Sequence, residues 1–160
     1  MSDQKLPMTP AVRLLLAQKV QFEPCFYDYE DRGGTAVSSR ELGVSEHAVV
    51  KTLVMQDENK KPMIVLMHGD REVSTKQLAR ELGVKTVSSC DPATADRHSG
   101  YQVGGTSPFG TRKPMPVYMQ KSIADLEVIY INGGKRGFLV KIAPADAIRL
   151  LNPTLLEIIA

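Results

Sequence analysis

Val49-Val50-Lys51-Thr52-Leu53-Val54-Met55, answered after a polar turn by Met63-Ile64-Val65-Leu66-Met67, is the stretch that decides the fold. Both runs are short, apolar and rich in β-type residues, and Asp57-Glu58-Asn59-Lys60-Lys61-Pro62 between them supplies turn chemistry. That arrangement predicts a β-hairpin. Lys51 interrupts the first run. With a two-residue period it shares a face with Val49, Leu53 and Met55, while Val50, Thr52 and Val54 line the other. An ammonium in that company has two readings. It is an edge-strand gatekeeper that discourages sheet-to-sheet association, or it lines a pocket, because a desolvated cation is costly unless it binds something. Spacing leaves both open.

Short helices flank the hairpin. Ser38-Ser39-Arg40-Glu41 has the Ser-x-x-Glu spacing of a capping box, with Gly43 as the stop. A similar unit occupies residues 74–83, where Ser74 or Thr75 caps and Leu78, Ala79 and Leu82 form an apolar stripe. Leu82-Gly83-Val84 echoes Leu42-Gly43-Val44 through shared helix-ending chemistry, not duplication. Upstream, Thr9-Pro10 before Ala11-Val12-Arg13-Leu14 opens a helix, and the aromatic segment 22–29 reads as a strand that Pro24 confines to an edge or a strand start. Arg32-Gly33-Gly34-Thr35 breaks it. Downstream, strands are expected at 85–88, 115–119, 128–131 and 138–142, and Asp91-Pro92 and Ala143-Pro144 each open a helix. Mixed hairpin and helical connections predict an α/β fold in which a mixed sheet closes toward a barrel surrounded by helices.

A chain of 160 residues with 42% hydrophobic composition suits one domain, taken as 1–160, with a core that needs no crosslinks. Twenty basic and 18 acidic side chains give a net charge of +2, so nucleic-acid contact has to come from local clustering of Lys and Arg. Arg71, Lys76, Arg97, Arg112, Lys113, Lys135 and Arg136 are the candidates, with scattered solvated charge as the default. Cys25 and Cys90 lie far apart without CxxC spacing, so neither a disulfide framework nor a metal site is predicted. Met1 to Pro7 has no cationic leader before an apolar core, and no apolar run approaches the roughly 20 residues of a membrane helix; a soluble, cytoplasmic protein is expected.

Gly104-Gly105-Thr106-Ser107-Pro108-Phe109-Gly110 reads as a shaped loop. Glycine opens backbone conformations closed to other residues and lets a ligand approach main-chain N–H groups, and Thr106 and Ser107 add hydroxyls to the same arc. Such a loop holds an oxyanion or a carboxyl group, or it only builds a tight surface turn. It matches neither a P-loop nor a dinucleotide fingerprint. Asn132-Gly133-Gly134-Lys135-Arg136-Gly137 links two strands, and Asn-Gly there reads first as a hairpin turn. His47, His68 and His98 show no ligand spacing, no serine sits in a nucleophile elbow, and Cys25 reads as a packed thiol.

Taken in order, Thr9-Pro10-Ala11-Val12, Tyr27, Val50-Lys51-Thr52-Leu53, the segment Ser99-Gly100-Tyr101-Gln102-Val103-Gly104-Gly105-Thr106-Ser107-Pro108-Phe109-Gly110 and Ile129-Tyr130-Ile131-Asn132-Gly133-Gly134-Lys135-Arg136-Gly137 resemble the YbaK family of aminoacyl-tRNA deacylases. That family also includes the editing domain inserted in bacterial prolyl-tRNA synthetases. The resemblance covers almost the whole chain. It implies removal of a wrong amino acid, in the first instance Cys, from tRNA(Pro) without metal or cofactor, the substrate thiol attacking its own ester. It assigns Lys51 as the cationic anchor and Gly104 and Gly105 as oxyanion stabilisers. Tyr27, Thr106, Ser107, Pro108 and Gly110 would line the aminoacyl pocket, with Gly133 and Gly134 on its other side. The partners implied are tRNA(Pro) and prolyl-tRNA synthetase.

Two positions depart from the family pattern. After Gly-Lys-Arg-Gly many members place an aspartate that meets the substrate amino group, where this chain has Phe138-Leu139, and an aromatic residue gives way to Gly33-Gly34-Thr35. Both touch the expected pocket. Two other readings therefore stand beside the first: a water-dependent deacylase for Ala-tRNA(Pro) or another small aminoacyl ester, and a module that binds an aminoacyl or nucleotide group, or a synthetase, without turnover.

Overall fold

The computed structural model describes residues 5–160, so the leader reading of residues 1–4 lies outside the described residues. The hairpin is present as β2 (Val49–Asp57) and β3 (Pro62–His68), paired antiparallel from Val50↔His68 to Gln56↔Pro62. Around it run α1 (Pro10–Ala17), β1 (Phe22–Phe26), α2 (Gly34–Leu42), α3 (Thr75–Leu82), β4 (Val87–Ser89), α4 (Pro92–Ser99), β5 (Val117–Gln120), β6 (Ile129–Lys135), β7 (Phe138–Ile142), α5 (Pro144–Leu151) and β8 (Thr154–Leu156).

The strands form one mixed sheet in the order β1-β7-β6-β2-β3-β5-β8, with β4 on β2 beside that path. The path ends at β1, which explains how Pro24 is accommodated: its missing N–H falls in a strand paired on one side only. Two apolar clusters cover the faces. The larger joins α1, β6, β7 and Val50 and Val54 of β2, and the smaller joins Met55, Met63, Val65 and Met67 to α3.

Local chemistry sets most helix starts. Thr9 Oγ1 accepts from Val12 N at 3.1 Å with Pro10 at the first helical position, Ser74 Oγ accepts from Gln77 N at 3.2 Å, and Asp91 Oδ1 accepts from Thr94 N at 2.8 Å. Gly43 and Gly83 end α2 and α3 in the left-handed conformation, as expected.

The capping box at Ser38 is overturned. The helix begins a turn earlier, at Gly34, and Ser38 and Ser39 lie buried inside it with their hydroxyls donating back to Thr35 O and Ala36 O, both at 3.2 Å. Thr35 fixes that earlier start, since its hydroxyl reaches Glu46 Oε2 at 2.8 Å and Gly69 O at 3.0 Å. The Asn132-Gly133 turn is also displaced. Strand β6 continues to Lys135 through a register shift between Asn132 and Lys135, and the chain reverses one step later. Asn132 Oδ1 makes the irregularity by accepting from Gly134 N at 2.7 Å and Lys135 N at 3.2 Å. Lys85 and Thr86 stay outside β4 because their N–H groups donate to Glu58 Oε1.

At the end of β3 the rings of His47 and His68 stack with centroids 3.7 Å apart. His68 is fully buried; its Nδ1 lies 2.7 Å from His47 O, and its Nε2 lies 2.6 Å from Ser122 Oγ. A carbonyl only accepts, so Nδ1 carries the proton and Nε2 accepts from Ser122.

Candidate functional site

Strand β2 creates the site by what it lacks. On one edge it pairs with β6 at Val49 and Val50 and with β4 at Met55 to Asp57, and neither ladder includes residues 51–54. Gly69 N donates to Val49 O on the β3 side, so alternation turns the main-chain groups of Thr52 toward that interrupted edge. A cavity of about 440 Å³ occupies the gap. Its walls come from β2, from Tyr27, residues 29–32 and the start of α2, from Ala95 of α4, and from Val103, Gly104 and Thr106. Ser89, Cys90, Asn132, Arg136 and Leu139 complete them.

Lys51 lies on this wall with its side chain 19% exposed, and its ammonium meets Glu72 Oε1 at 3.1 Å, a carboxylate that is 81% exposed. A solvent-facing partner of that kind contributes at most about 1 kcal/mol, so the ammonium is free to exchange it for a ligand. Thr52 is the second notable wall residue. Its hydroxyl is the buried side-chain oxygen that has no hydrogen-bond partner among the described residues. A buried orphan hydroxyl costs about 1–3 kcal/mol, which a ligand polar group relieves.

The glycine loop is strapped to the β6–β7 turn. Arg136 Nε donates to Val103 O at 2.9 Å while its guanidinium lies 5.0 Å from the centre of the Tyr29 ring, and Asn132 Nδ2 donates to Gly104 O at 3.2 Å. A Cβ on Gly104 would lie 2.5 Å from Tyr29 Oη, and one on Gly105 would lie 2.7 Å from Arg136 N. The two glycine-rich segments singled out in the sequence therefore pack on each other. Tyr27 is held opposite by its N–H, which donates to Gly137 O at 3.0 Å, and burial raises its phenol pKa.

Of the residues read from the sequence, Tyr27, Lys51, Gly104 and Thr106 meet on the cavity wall, together with Gly34 and Leu139. Gly105, Ser107, Pro108, Gly110, Gly133 and Gly134 lie outside it. The Gly105 N–H donates to Gln102 O at 2.7 Å, so it is not available to an oxyanion. Ser107 is fully buried with its hydroxyl accepting from Phe109 N at 3.2 Å; Pro108 is buried beside it, and Gly110 packs against the carbonyl of Pro10. Gly133 accepts from Thr9 Oγ1. These residues shape the loop from behind. Tyr29, Asp31, Arg32, Thr52 and Arg136 are wall residues to which the sequence reading gave no pocket role. Arg136 and Thr52 stood inside quoted motifs and Tyr29 inside the aromatic strand, but nothing in the sequence gave Thr52 a role of its own beside Lys51.

Cys90 is on the wall as well, with Sγ 3.6 Å from Gln56 Oε1. Burial first, and Asp91 second, raise its pKa, so the thiol is protonated at neutral pH. No helix among the described residues is long and apolar enough to cross a membrane.

A mixed sheet whose central strand leaves a half-open cavity, lined by Lys51 and by Gly104 and Thr106 of the glycine loop, defines an α/β domain with a cation on its cavity wall. The family model for the aminoacyl-tRNA editing domain matches residues 32–150, and the chain belongs to that family. It is 29% identical over 151 residues to the proposed Cys-tRNA(Pro)/Cys-tRNA(Cys) deacylase EbsC of Enterococcus faecalis, covering 94% of this chain and 92% of that protein. It is 31% identical over 99 residues to the proline–tRNA ligase of Thermodesulfovibrio yellowstonii, 59% of this chain and 16% of the ligase. The hypothetical protein APE2540 superposes with a TM-score of 0.86 at 18% identity, covering 95% of this chain and all (100%) of that one. A crystal structure of a proposed trans-editing enzyme for prolyl-tRNA synthetase superposes at 0.81 and 17% identity, over 96% and 99% of the two chains. The family acts on aminoacyl-tRNA, and the editing segments of prolyl-tRNA synthetases are homologous to this chain.

Proposed function

We propose that the chain is a free-standing trans-editing enzyme that removes a mischarged amino acid, cysteine before others, from tRNA(Pro). The observation that supports this most directly is the convergence of Tyr27, Lys51, Gly104 and Thr106, drawn from separate motifs, on one cavity. In this reading the 3′-terminal aminoacyl-adenosine enters at the interrupted edge of β2, and Lys51 exchanges Glu72 for the ester or the terminal adenosine. The site supplies position and charge. The protonated thiol of Cys90 is a poor nucleophile, which favours a substrate that brings its own.

The cysteine sulfur bonds to the ester carbonyl carbon, the bond from that carbon to the ribose oxygen breaks, and the thiol proton ends on the ribose oxygen. The products are tRNA and a thiolactone. Holding sulfur and carbon in attack geometry is the chain's main contribution, because an intramolecular reaction needs no further encounter. With Leu139 where the family places a carboxylate, Asp31 is assigned to the substrate ammonium, since it lies on the wall and makes no ion pair among the described residues, whereas Glu30 is held by Arg40 at 3.3 Å. A net charge of +2 gives little long-range attraction to RNA, so delivery by prolyl-tRNA synthetase is part of the reading.

The apolar Leu139 and the bare wall at Gly34 favour, as a second reading, a water-dependent deacylase for Ala-tRNA(Pro). Loss of labelled amino acid from Cys-tRNA(Pro) and Ala-tRNA(Pro), with wild type beside Lys51→Ala, separates the two. The first reading expects fast loss from the Cys ester that drops at least about 100-fold in the variant, the size of an electrostatic contact made in the transition state. Loss from Ala alone moves the assignment to the second. No loss from either ester, with the protein folded, overturns both and leaves a binding module.

A further inference from the structure

The outer side of the segment that forms one cavity wall carries a compact cationic surface that the site itself does not use. Helix α4 contributes Ala95 to the cavity, and the chain returns to it at Val103 and Gly104. Arg97, exposed and on the side opposite Ala95, and the half-buried His98 occupy the last turn of the helix. The bend at 112–113 is fastened beside them, Arg112 N donating to Ser99 O at 3.0 Å and Lys113 N to His98 O at 2.9 Å. A Cβ on Gly100 would lie 3.2 Å from Arg112 Cβ, so the two pieces of chain are in contact at the helix end.

Arg97, Arg112 and Lys113 are exposed, and none makes an ion pair among the described residues. The acids of the same helix are engaged locally: Asp91 caps the N-terminus, near enough for Arg97 to help lower its pKa, and Asp96 Oδ1 accepts from Val103 N at 3.1 Å. His98 reports the resulting potential. After burial, Lys113 and Arg97 are the causes that hold its pKa below the ordinary imidazole value. Three like charges held together, with no direct ion pair and only Asp91 acting on Arg97 from the helix start, cost free energy that a polyanion recovers. The surface lies about one helix diameter, ~10 Å, from the cavity wall formed by the same helix.

We propose that Arg97, Arg112 and Lys113 form the landing surface for the backbone phosphates of the RNA whose 3′ ester enters the cavity. This rests on the aminoacyl-tRNA reading of the cavity and adds where the rest of that substrate lies. The contact is with phosphates, so it sets affinity and register and not the identity of the amino acid.

The test measures the Kd of uncharged tRNA(Pro) across a salt series for wild type, for the triple variant Arg97→Gln, Arg112→Gln, Lys113→Gln, and for Arg149→Gln on α5 as the control. The triple variant is expected to bind at least 10-fold more weakly at physiological salt, with a log–log salt slope lower by about 2–3, since each of the three phosphate contacts contributes about 0.7–0.9. The control is expected to match wild type. Because these side chains are exposed, thermal melts should superimpose. If that variant does not fold, Lys113→Glu alone carries the same expectation with a smaller slope change. Equal Kd and equal slope for the variant and wild type overturn the proposal. Cleavage of an aminoacyl-adenosine ester, which carries no backbone phosphate, is run in parallel: it is expected to be the same in variant and wild type, and its absence in wild type counts against the cavity reading while the tRNA binding result still decides the surface.

Discussion

The two glycine pairs look alike in sequence and differ in what they make room for. Gly104 gives space to Tyr29 on the cavity wall, with φ at +93°, and its neighbour Gly105 gives space to the backbone of Lys135 and Arg136. At the second pair the space is already full: the ring of Phe138 lies where a Gly133 side chain would be, and Tyr101 and Thr9 crowd Gly134. One glycine of four therefore faces the cavity. The others are demanded by close packing, so a glycine motif marks a tight place before it marks a binding place.

Substitutions test that division. Gly105→Ala is expected to do most harm, because the new methyl meets main-chain atoms that cannot rotate aside, 2.7 Å from Arg136 N and 2.9 Å from Lys135 C. A loss of about 3 kcal/mol or more in chemical denaturation is expected, by the overpacking that costs 1–3 kcal/mol where side chains yield. Wild-type stability in this variant would break the account of how the two segments are locked. Gly133→Ala should cost about 2 kcal/mol, and Phe138→Leu in the same chain should recover part of it, since the obstacle is a side chain. Gly104→Ala sharpens the contrast from the other side. Its left-handed backbone costs about 1–2 kcal/mol of stability, and in the fraction that remains folded deacylation should also fall, about tenfold, as Tyr29 and Arg136 are pushed from the wall. Ser107→Ala should have the smallest effect, about 1 kcal/mol of stability with kcat/KM unchanged, because its hydroxyl serves the Phe109 N–H inside the loop. A loss of activity without loss of stability would return Ser107 to the site.

Much of the framework was legible because its signals are local. Thr9-Pro10, Ser74 and Asp91 each cap the helix that follows, and the β2–β3 hairpin runs where alternation and turn residues put it. The misreadings arose where a distant contact outweighed a local rule. Ser38 satisfies the capping spacing, but Thr35 is fixed by Glu46 and Gly69, and the helix starts there. Strand β8 went unread because Thr154 to Leu156 is mostly exposed and has no alternation; only its pairing with β5 makes it a strand. The site divides in the same way. Lys51 was legible as an ammonium among apolar residues, whereas Glu72 as its partner, the interrupted edge of β2 and the outward surface of α4 all depend on chain segments brought together by folding.

The stacked histidines at the end of β3 make folding a proton-counting device. Burial first, with His47 and Arg71 nearby adding to it, depresses the pKa of His68 below the ordinary value of 6.5, although His47 O and Asp70 act against them. A second ring proton would also face Ser122 Oγ, which already accepts from Gln120 Nε2 at 3.1 Å. The folded chain thus excludes a proton that the unfolded chain accepts as pH falls through 6.5, and stability declines from there until the folded state takes up the proton as well. Denaturation midpoints at pH 7.5 and 5.5 should differ in wild type and converge in His68→Gln. The chain that is proposed to guard the fidelity of translation would then lose its own footing in mild acid, at a point on the sheet beside the strand that carries its lysine.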